Sequence, residues 1–203
     1  MARSKTESWG DHEWAKGERY KHNDLFRPGP RTRFNACVGS NGGPYGLDQF
    51  ADGYFKAAQV ILTDVLKDPT SVDLEIYPLV FVYRHAIELS LKNLVTLLPR
   101  AFYESATSRP THKLTDNWEV VRSYLLRLDE IDKDDVEEVD SIIADFVDLD
   151  VDGQTFRFPS DRKGGRFLQE TTHINVLVFG GLMVHVEDLF RRWHLGISTM
   201  VLG

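Results

Sequence analysis

The amino-acid sequence predicts an all-α bundle of four to five helices preceded by an irregular N-terminal arm. From residue 47 onward, apolar residues recur every three or four positions, which is the period of a helix with one buried face. Polar segments separate these stretches, all but one of them with proline or glycine, and no β-hairpin pattern interrupts them. A chain of 203 residues, of which 42% are hydrophobic, is long enough for one domain of ordinary size with an appendage.

The apolar period and its breaks place the predicted helices along the chain. Pro78 either kinks the early turns of the second helix or marks its start. Gly196 is expected to stop the last helix. The predicted helices cover residues 47–67, about 70–98, 115–128, 134–147 and about 170–193. The predicted divisions are therefore an arm over residues 1–46, a bundle over 47–195 and a C-terminal tail over 196–203.

The predicted arm is rich in turn-forming residues but also in aromatic ones. Glycine, proline, arginine and asparagine are dense in residues 27–31 and 40–46, with no sustained apolar period. The arm nevertheless holds Trp9, Trp14, Tyr20, Phe26 and Phe34. Because so many aromatic side chains are unusual in a flexible tail, we expect the arm to lie against the domain or against a second subunit.

The sequence predicts a cytoplasmic protein with no membrane association. Cys37 is the single cysteine, which suits a reducing compartment. The first fourteen residues contain no apolar stretch typical of a secretory signal. The longest nearly pure apolar run, residues 176–184, is far shorter than the roughly 20 residues that cross a bilayer.

The negative charge of the chain is concentrated in one segment. The formal net charge is −7, but residues 129–152 hold twelve acids and one base. Outside that segment 23 bases face 19 acids, a balance of +4. The acidic total therefore does not exclude a local basic cleft for nucleic acid.

The second predicted helix carries three polar residues in an almost entirely apolar setting, Arg84, His85 and Glu88. Burying a charged group costs several kcal/mol unless it is paired. Spacings of three and four residues allow all three side chains to meet on one side of a helix. Two interpretations remain open: a polar site in which Arg84 binds an anion and His85 moves protons, or a self-satisfied trio that fixes the helix register.

Residues 77–92 resemble the core helix of HEPN-domain proteins, which are small helical bundles of prokaryotic toxin and defence systems. Residues 54–58 are similar to the first helix of that family. Residues 112–114, 156–164 and 172–175 resemble segments of one uncharacterised branch, in the expected order. The resemblance implies a bundle that dimerises and is often a metal-independent ribonuclease. It also implies RNA as the target, an antitoxin or defence-system protein as a further partner, and no cofactor.

The family pattern is an arginine and a histidine with four to six residues between them, and the pair is brought together across a dimer cleft. Arg166 and His173, with six residues between them, match that spacing. The resemblance implies that His173 acts as general acid or base on the ribose 2′-hydroxyl and the leaving oxygen, while Arg166 stabilises the phosphate charge. Arg166 departs from the pattern because it lies in a glycine-rich loop rather than in a helix.

The surroundings of His173 permit two interpretations. His173 is predicted at the first turn of the last helix, where free backbone N–H groups attract phosphate and Thr171 or Thr172 could cap. Alternatively, His173 and Asn175 tie the preceding loop onto the helix. The corresponding alternative for the whole protein is a non-catalytic helical bundle that binds a partner protein or a nucleotide.

No metal site is predicted from the chain. Residues 148–153, Asp-x-Asp-x-Asp-Gly, begin like a calcium loop, but Pro159 occupies the position where an EF-hand requires glutamate. The sequence also lacks a His-Glu-x-x-His motif and a cysteine cluster, and it has one Glu-x-x-His motif, residues 170–173, where di-iron bundles have a pair.

Two adjacent glycines, Gly180 and Gly181, lie within the last predicted helix. A glycine inside a helix is less favourable than alanine by about 1 kcal/mol. We therefore expect another helix to approach closely at this point, from the same bundle or from a second subunit.

Overall fold

The computed structural model describes residues 25–26, 28–29, 31–106 and 108–202. The chain divides into two units, Met1–Tyr45 and Gly46–Gly203. In the described part of the first unit, two short 3₁₀ helices span Thr32–Phe34 and Gly39–Asn41. Trp9, Trp14 and Tyr20 lie outside the described residues, and the expected docking of the arm stays a prediction.

The second unit consists of helices, and the prediction of an all-α bundle is confirmed. Ser160 and Arg166 form an isolated antiparallel β-bridge in this unit, and the described residues form no β-strand. None of the helices in the described ranges combines the length and apolar character needed to span a membrane. The helices are α1 (Leu47–Lys67), α2 (Val72–Ala101), α3 (Leu114–Leu125), α4 (Lys133–Leu149) and α5 (Val176–Leu202).

The central element of the bundle is α2, the helix whose polar residues lie in an almost entirely apolar setting. Fourteen of its 30 residues are buried, and it packs against α1, α3 and α5. The helix begins six residues before Pro78, so this proline does not mark its start. A proline in the second turn deletes one backbone hydrogen bond, and the burial of the following turns outweighs that loss.

The helices α3 and α4 follow the predicted apolar pattern closely. Asp132 caps the N-terminus of α4, because its side chain accepts a hydrogen bond from the backbone N–H of Asp134 at 3.0 Å. The predicted inward face of α4 is buried: Val136, Val139, Ile142, Ile143 and Phe146. The third helix ends at Leu125, three residues earlier than predicted, and residues 126–127 form a turn.

The bounds of α5 differ from the prediction at both ends. The helix begins at Val176 rather than near residue 170, and it continues through Gly196 to Leu202. Ile197 is 1% exposed and Val201 packs against the core. Burial of these side chains outweighs the cost of about 1 kcal/mol for one helical glycine. Residues 196–202 therefore belong to α5, and the predicted stop at Gly196 is wrong.

Gly180 marks the close approach that the sequence predicts. A Cβ atom at Gly180 would lie 2.6 Å from Cδ1 of Leu62 in α1. A Cβ at Gly181 would meet no atom within 4 Å. The helix that approaches Gly180 belongs to the same bundle, and Gly181 lies toward open space.

Candidate functional site

Arg84 lies inside the bundle between two carboxylates. Its side chain is 4% exposed, its Nε lies 3.2 Å from Oδ2 of Asp150, and its Nη1 lies 3.5 Å from Oε2 of Glu88. The Nε contact is an ion pair without hydrogen-bond alignment, whereas Nη2 donates to the backbone oxygen of Asp150 at 3.3 Å. Because two carboxylates already face this guanidinium, the geometry favours a structural role for Arg84 over binding of an external anion.

Residues 148–153, which begin like a calcium loop, pack against the guanidinium of Arg84. Asp150, which is 1% exposed, accepts the backbone N–H of Thr155 through Oδ1 at 2.9 Å. Gly153 has a φ of +76°, and a Cβ there would lie 2.8 Å from Nη1 of Arg84. Glycine is therefore required both by the left-handed backbone and by the close approach of the guanidinium. Among the described residues, no three His, Cys, Asp or Glu side chains form a group able to hold a metal ion.

Glu88 connects the interior to an exposed histidine. Its Oε1 accepts a hydrogen bond from Nζ of Lys92 at 2.7 Å and lies 3.0 Å from Nδ1 of His112. Burial acts to raise the pKa of Glu88, but the hydrogen bonds and charges of Lys92, His112 and Arg84 outweigh it, and the pKa is lowered. The side chain of Glu88 is 8% exposed, whereas that of His112 is 92% exposed. Glu88 thus holds a solvent-facing imidazole from inside the bundle.

A second buried group fixes the backbone beside His112. Asn117, which is 1% exposed, receives the N–H of Thr111 at Oδ1 and donates Nδ2 to the Thr111 carbonyl, both at 2.9 Å. The loop between α2 and α3 is thereby tied down one residue before His112. The sequence indicates His112 only as part of a family-like segment, because its partner Glu88 lies 24 residues away.

His85 does not join the ion pairs of Arg84 and Glu88. Its ring stacks on Phe81 with centroids 6.1 Å apart and meets Tyr54 edge-on at 4.5 Å. Burial lowers the pKa of His85. The charge of Glu88 acts against this shift, and the positive charges of Lys92, Arg84 and Arg157 act with it. Of the three polar residues that the spacing allows to meet, Arg84 and Glu88 do so, whereas His85 packs among aromatic rings.

Arg157 and Arg166 line one cavity of about 590 Å³, hereafter the arginine–aromatic cavity. The guanidinium of Arg157 lies 5.4 Å from the ring centre of Phe81 and 5.2 Å from that of Phe158, within cation–π range. Besides the two arginines, the cavity is lined by Phe158 and by Tyr77, Thr155, Phe156, Pro159, Phe167, Leu168 and Thr171. The cavity therefore combines two positive charges with aromatic walls.

The loop that carries Arg166 is closed by a turn around Asp161. Oδ1 of Asp161 accepts the backbone N–H groups of Lys163 at 2.7 Å and Gly165 at 2.8 Å. Leu168, in the wall of the cavity, has a φ of +54°, which is rare for a side chain without a polar atom. Strain of this kind costs on the order of 1–3 kcal/mol and is common at functional sites.

His173 lies in an irregular segment before α5 rather than in its first turn. Its ring is exposed, and Nδ1 lies 3.0 Å from the hydroxyl of Thr172. Asn175 is the residue that caps α5, because Oδ1 accepts the N–H groups of Leu177 at 2.9 Å and Val178 at 3.2 Å. The expected capping by Thr171 or Thr172 is therefore wrong. His173 is not among the residues that line the cavity of Arg166.

A second, smaller cavity of about 250 Å³ lies among α1, α2 and α5. Glu187, which is 6% exposed, accepts Nε2 of Gln59 and Nη2 of Arg191, both at 2.6 Å. At the same cavity, Nδ1 of His194 lies 2.8 Å from Nδ2 of Asn93. Each of these polar groups already has a partner within the bundle.

No protein-family model, no curated protein and no solved structure matches this chain. The resemblance to HEPN-domain proteins therefore stays a prediction that rests on the residues quoted for it.

Proposed function

We propose that this chain is an RNA-directed module of the HEPN type, and that single-stranded RNA binds in the arginine–aromatic cavity. The observation that carries the proposal is the position of Arg157 and Arg166 in one cavity with aromatic walls. Bases of single-stranded RNA stack on aromatic rings, and arginine binds phosphate through a planar fork of donors. The cavity offers both kinds of contact.

The charge of the surrounding loop supports an anionic ligand. Residues 156–166 contain four bases and one acid, a balance of +3 in a chain whose formal net charge is −7. The single acid, Asp161, is engaged with backbone N–H groups of its own turn. The loop therefore presents positive charge to a phosphodiester backbone although the chain as a whole is acidic.

In the proposed reaction RNA is cleaved without a metal ion. An imidazole removes the proton of a ribose 2′-hydroxyl, the 2′-oxygen bonds to phosphorus, and the bond from phosphorus to the 5′-oxygen breaks. The resemblance to the family makes His173 either the general base at the 2′-hydroxyl or the general acid that protonates the leaving 5′-oxygen, and it assigns the stabilisation of the phosphate charge to Arg166. The exposed positions of both residues are compatible with access of RNA.

Binding is tested by fluorescence anisotropy with labelled single-stranded RNA in EDTA across a series of salt concentrations. We expect Arg166→Ala to weaken binding and to reduce the salt slope by about 0.7, the contribution of one phosphate contact. Phe158→Ala should cost about 1–3 kcal/mol of binding free energy through lost stacking. Lys56→Ala removes the same charge from an exposed position on α1 and is the matched control. Equal losses in the Arg166 and Lys56 variants would contradict the cavity as the RNA site.

Cleavage is tested with the same RNA in EDTA, by comparing the wild-type protein with His173→Ala. Loss of cleavage in this variant supports the assignment of His173. Equal cleavage by both proteins removes His173 from the mechanism, whereas RNA binding is judged separately by the anisotropy measurement.

The proposal includes a homodimer within a toxin or defence system, where an antitoxin or another defence protein is the further partner. The mass of one chain is 23.3 kDa. Light scattering at micromolar concentration should therefore report about twice that mass. A species with the mass of a single chain would contradict the dimer.

One observation favours a non-catalytic alternative, in which the bundle binds a partner protein or a nucleotide. Arg166 lines the arginine–aromatic cavity and His173 does not. A protein of this kind would bind its ligand at the cavity and leave RNA intact in the cleavage assay.

A further inference from the structure

His112 is an exposed imidazole that buried groups hold in place. Its side chain is 92% exposed, so the ring contributes little to packing. It nevertheless contacts Glu88, whose side chain is 8% exposed, and Lys92, whose side chain is 14% exposed. A histidine with a purely structural role would be expected to bury its ring, and this one does not.

The contact with Glu88 determines which ring nitrogen is free. Nδ1 lies 3.0 Å from Oε1 of Glu88 and 3.2 Å from Nζ of Lys92. Oε1 also accepts a hydrogen bond from Lys92 at 2.7 Å, so the ammonium already has an acceptor. With Nδ1–H donating to Glu88, the lone pair of Nε2 is left without a partner among the described residues and available to accept a proton.

The backbone next to His112 is fixed as well. The buried side chain of Asn117 makes two hydrogen bonds to Thr111, and the hydroxyl of Thr111 accepts the N–H of Lys113 at 3.1 Å. Ring and backbone are thus held by separate contacts. Fixed geometry of this kind is what a proton-transfer group requires, because its rate depends on the position of the imidazole.

We propose that His112 is a proton-transfer residue of this protein and that Glu88 is its positioning residue. The substrate class, a ribose 2′-hydroxyl beside a phosphodiester, rests on the proposed function. Nε2 takes the 2′-hydroxyl proton as the 2′-oxygen bonds to phosphorus. The bond to the 5′-oxygen breaks with its electron pair, and that oxygen takes a proton from the protonated imidazole of His173, the acid role that the family resemblance permits. The products are a 2′,3′-cyclic phosphate and a 5′-hydroxyl.

The position of Glu88 on α2 relates His112 to the arginine–aromatic cavity. Phe81, on which Arg157 lies, is seven residues before Glu88. At about 1.5 Å per residue this spacing is about 10 Å along the helix axis. The proposal places a short single strand from the cavity, past Arg157 and Phe81, along this side of α2 to His112.

The first test compares RNA cleavage in EDTA by the wild-type protein, His112→Ala and Glu119→Gln. Glu119 is exposed on α3 and makes a matched control for a surface change. We expect His112→Ala to bind RNA as the wild-type protein does and to cleave it about 10²- to 10⁴-fold more slowly. Added imidazole should restore part of the cleavage, which loss of a merely structural contact would not allow.

The second test uses no RNA and reads the tautomer of His112 from ¹⁵N chemical shifts. We expect a proton on Nδ1 and none on Nε2 in the neutral ring, and a smaller share of this tautomer in Glu88→Gln. A proton on Nε2 instead would overturn the proposal. Cleavage of RNA by His112→Ala at the wild-type rate would also overturn the proposal, and so would a wild-type protein that binds RNA but never cleaves it. In both cases RNA binding, and with it that part of the proposed function, remains. Absence of RNA binding overturns the proposed function itself, together with the substrate assigned to His112.

Discussion

The guanidinium of Arg84 and the carboxylate of Asp150 lie 3.2 Å apart in the interior of the bundle, although 66 residues separate them in the chain. Asp150 immediately follows α4, and Arg84 is in the middle of α2. Their ion pair holds the end of one helix against the central helix. It also orients the turn that leads to Arg157 and the arginine–aromatic cavity.

The pair predicts a large loss of stability when one partner is neutralised. Asp150→Asn keeps the shape of the side chain but leaves the charge of Arg84 with Glu88 alone. Breaking a buried ion pair typically costs about 3–5 kcal/mol, and urea unfolding should show a loss of that order. Asp148→Asn, at an exposed position on α4, should leave the free energy of unfolding almost unchanged. Equal effects of the two substitutions would contradict the role assigned to Asp150.

The adjacent glycines Gly180 and Gly181 of α5 form a matched pair, which measures how much the close contact with α1 contributes to the free energy of unfolding. Both Gly180→Ala and Gly181→Ala gain the helical preference of alanine, about 1 kcal/mol. Only the alanine at 180 meets Leu62, at 2.6 Å from Cδ1. We expect the Gly180 variant to be less stable than the Gly181 variant by about 1–3 kcal/mol in urea unfolding. Equal stabilities would show that Leu62 moves aside without cost.

The surroundings of His85 predict a pH dependence of stability. Burial, with the charges of Lys92 and Arg84, lowers the pKa of His85 below its ordinary value of 6.5. As the pH falls, the unfolded chain therefore takes up this proton before the folded protein does. The contribution of His85 is fully present above pH 6.5 and is lost as the pH falls from there toward the folded-state pKa. His85→Phe should flatten the stability curve between pH 7 and pH 5, on the order of the range where histidine titrates. A wild-type curve already flat in that range would contradict the lowered pKa.

Tyr83 provides a substitution that should stabilise the protein. Its side chain is fully buried, and its hydroxyl has no hydrogen-bond partner among the residues that the structure describes. Burial, with the charge of Glu187, raises the pKa of Tyr83 to about 12, so the hydroxyl stays protonated. Because an unsatisfied buried polar group costs about 1–3 kcal/mol, Tyr83→Phe should raise the free energy of unfolding.

Tyr124 is the matched control for Tyr83. Its hydroxyl donates to Oε2 of Glu104 at 2.9 Å, so Tyr124→Phe deletes a hydrogen bond that is made. We expect this variant to lose about 1 kcal/mol. Thermal and urea unfolding of both variants should therefore change in opposite directions, and destabilisation by Tyr83→Phe would mean that its hydroxyl has a partner after all.

Much of the fold could be predicted from apolar spacing. The bounds of α1 agree with the prediction, and the inward residues of α4 are those that the period indicates. Local cues were less decisive at helix ends. Gly196 is a common stop signal, yet α5 passes through it because Ile197 has a buried place against the core.

The candidate site was harder to predict because its contacts join distant segments. The spacing of Arg84 and Glu88 along one helix indicates their pairing, but nothing local indicates that Asp150 completes it. His112 illustrates the same difficulty. It is an exposed histidine in a loop, and only the tertiary structure shows that it contacts the buried carboxylate of Glu88 on α2. Arg166 and His173 match the arginine–histidine spacing of the family, but Arg166 lines the arginine–aromatic cavity and His173 does not.

By itself, the sequence determined that the chain folds as helices and which face of each helix is buried. Both follow from the period of its apolar residues, which is a property of neighbours along the chain. Only the tertiary structure decided the partners of the polar side chains. Ion pairs and cavities depend on how helices pack, and packing brings together groups that the chain separates by tens of residues.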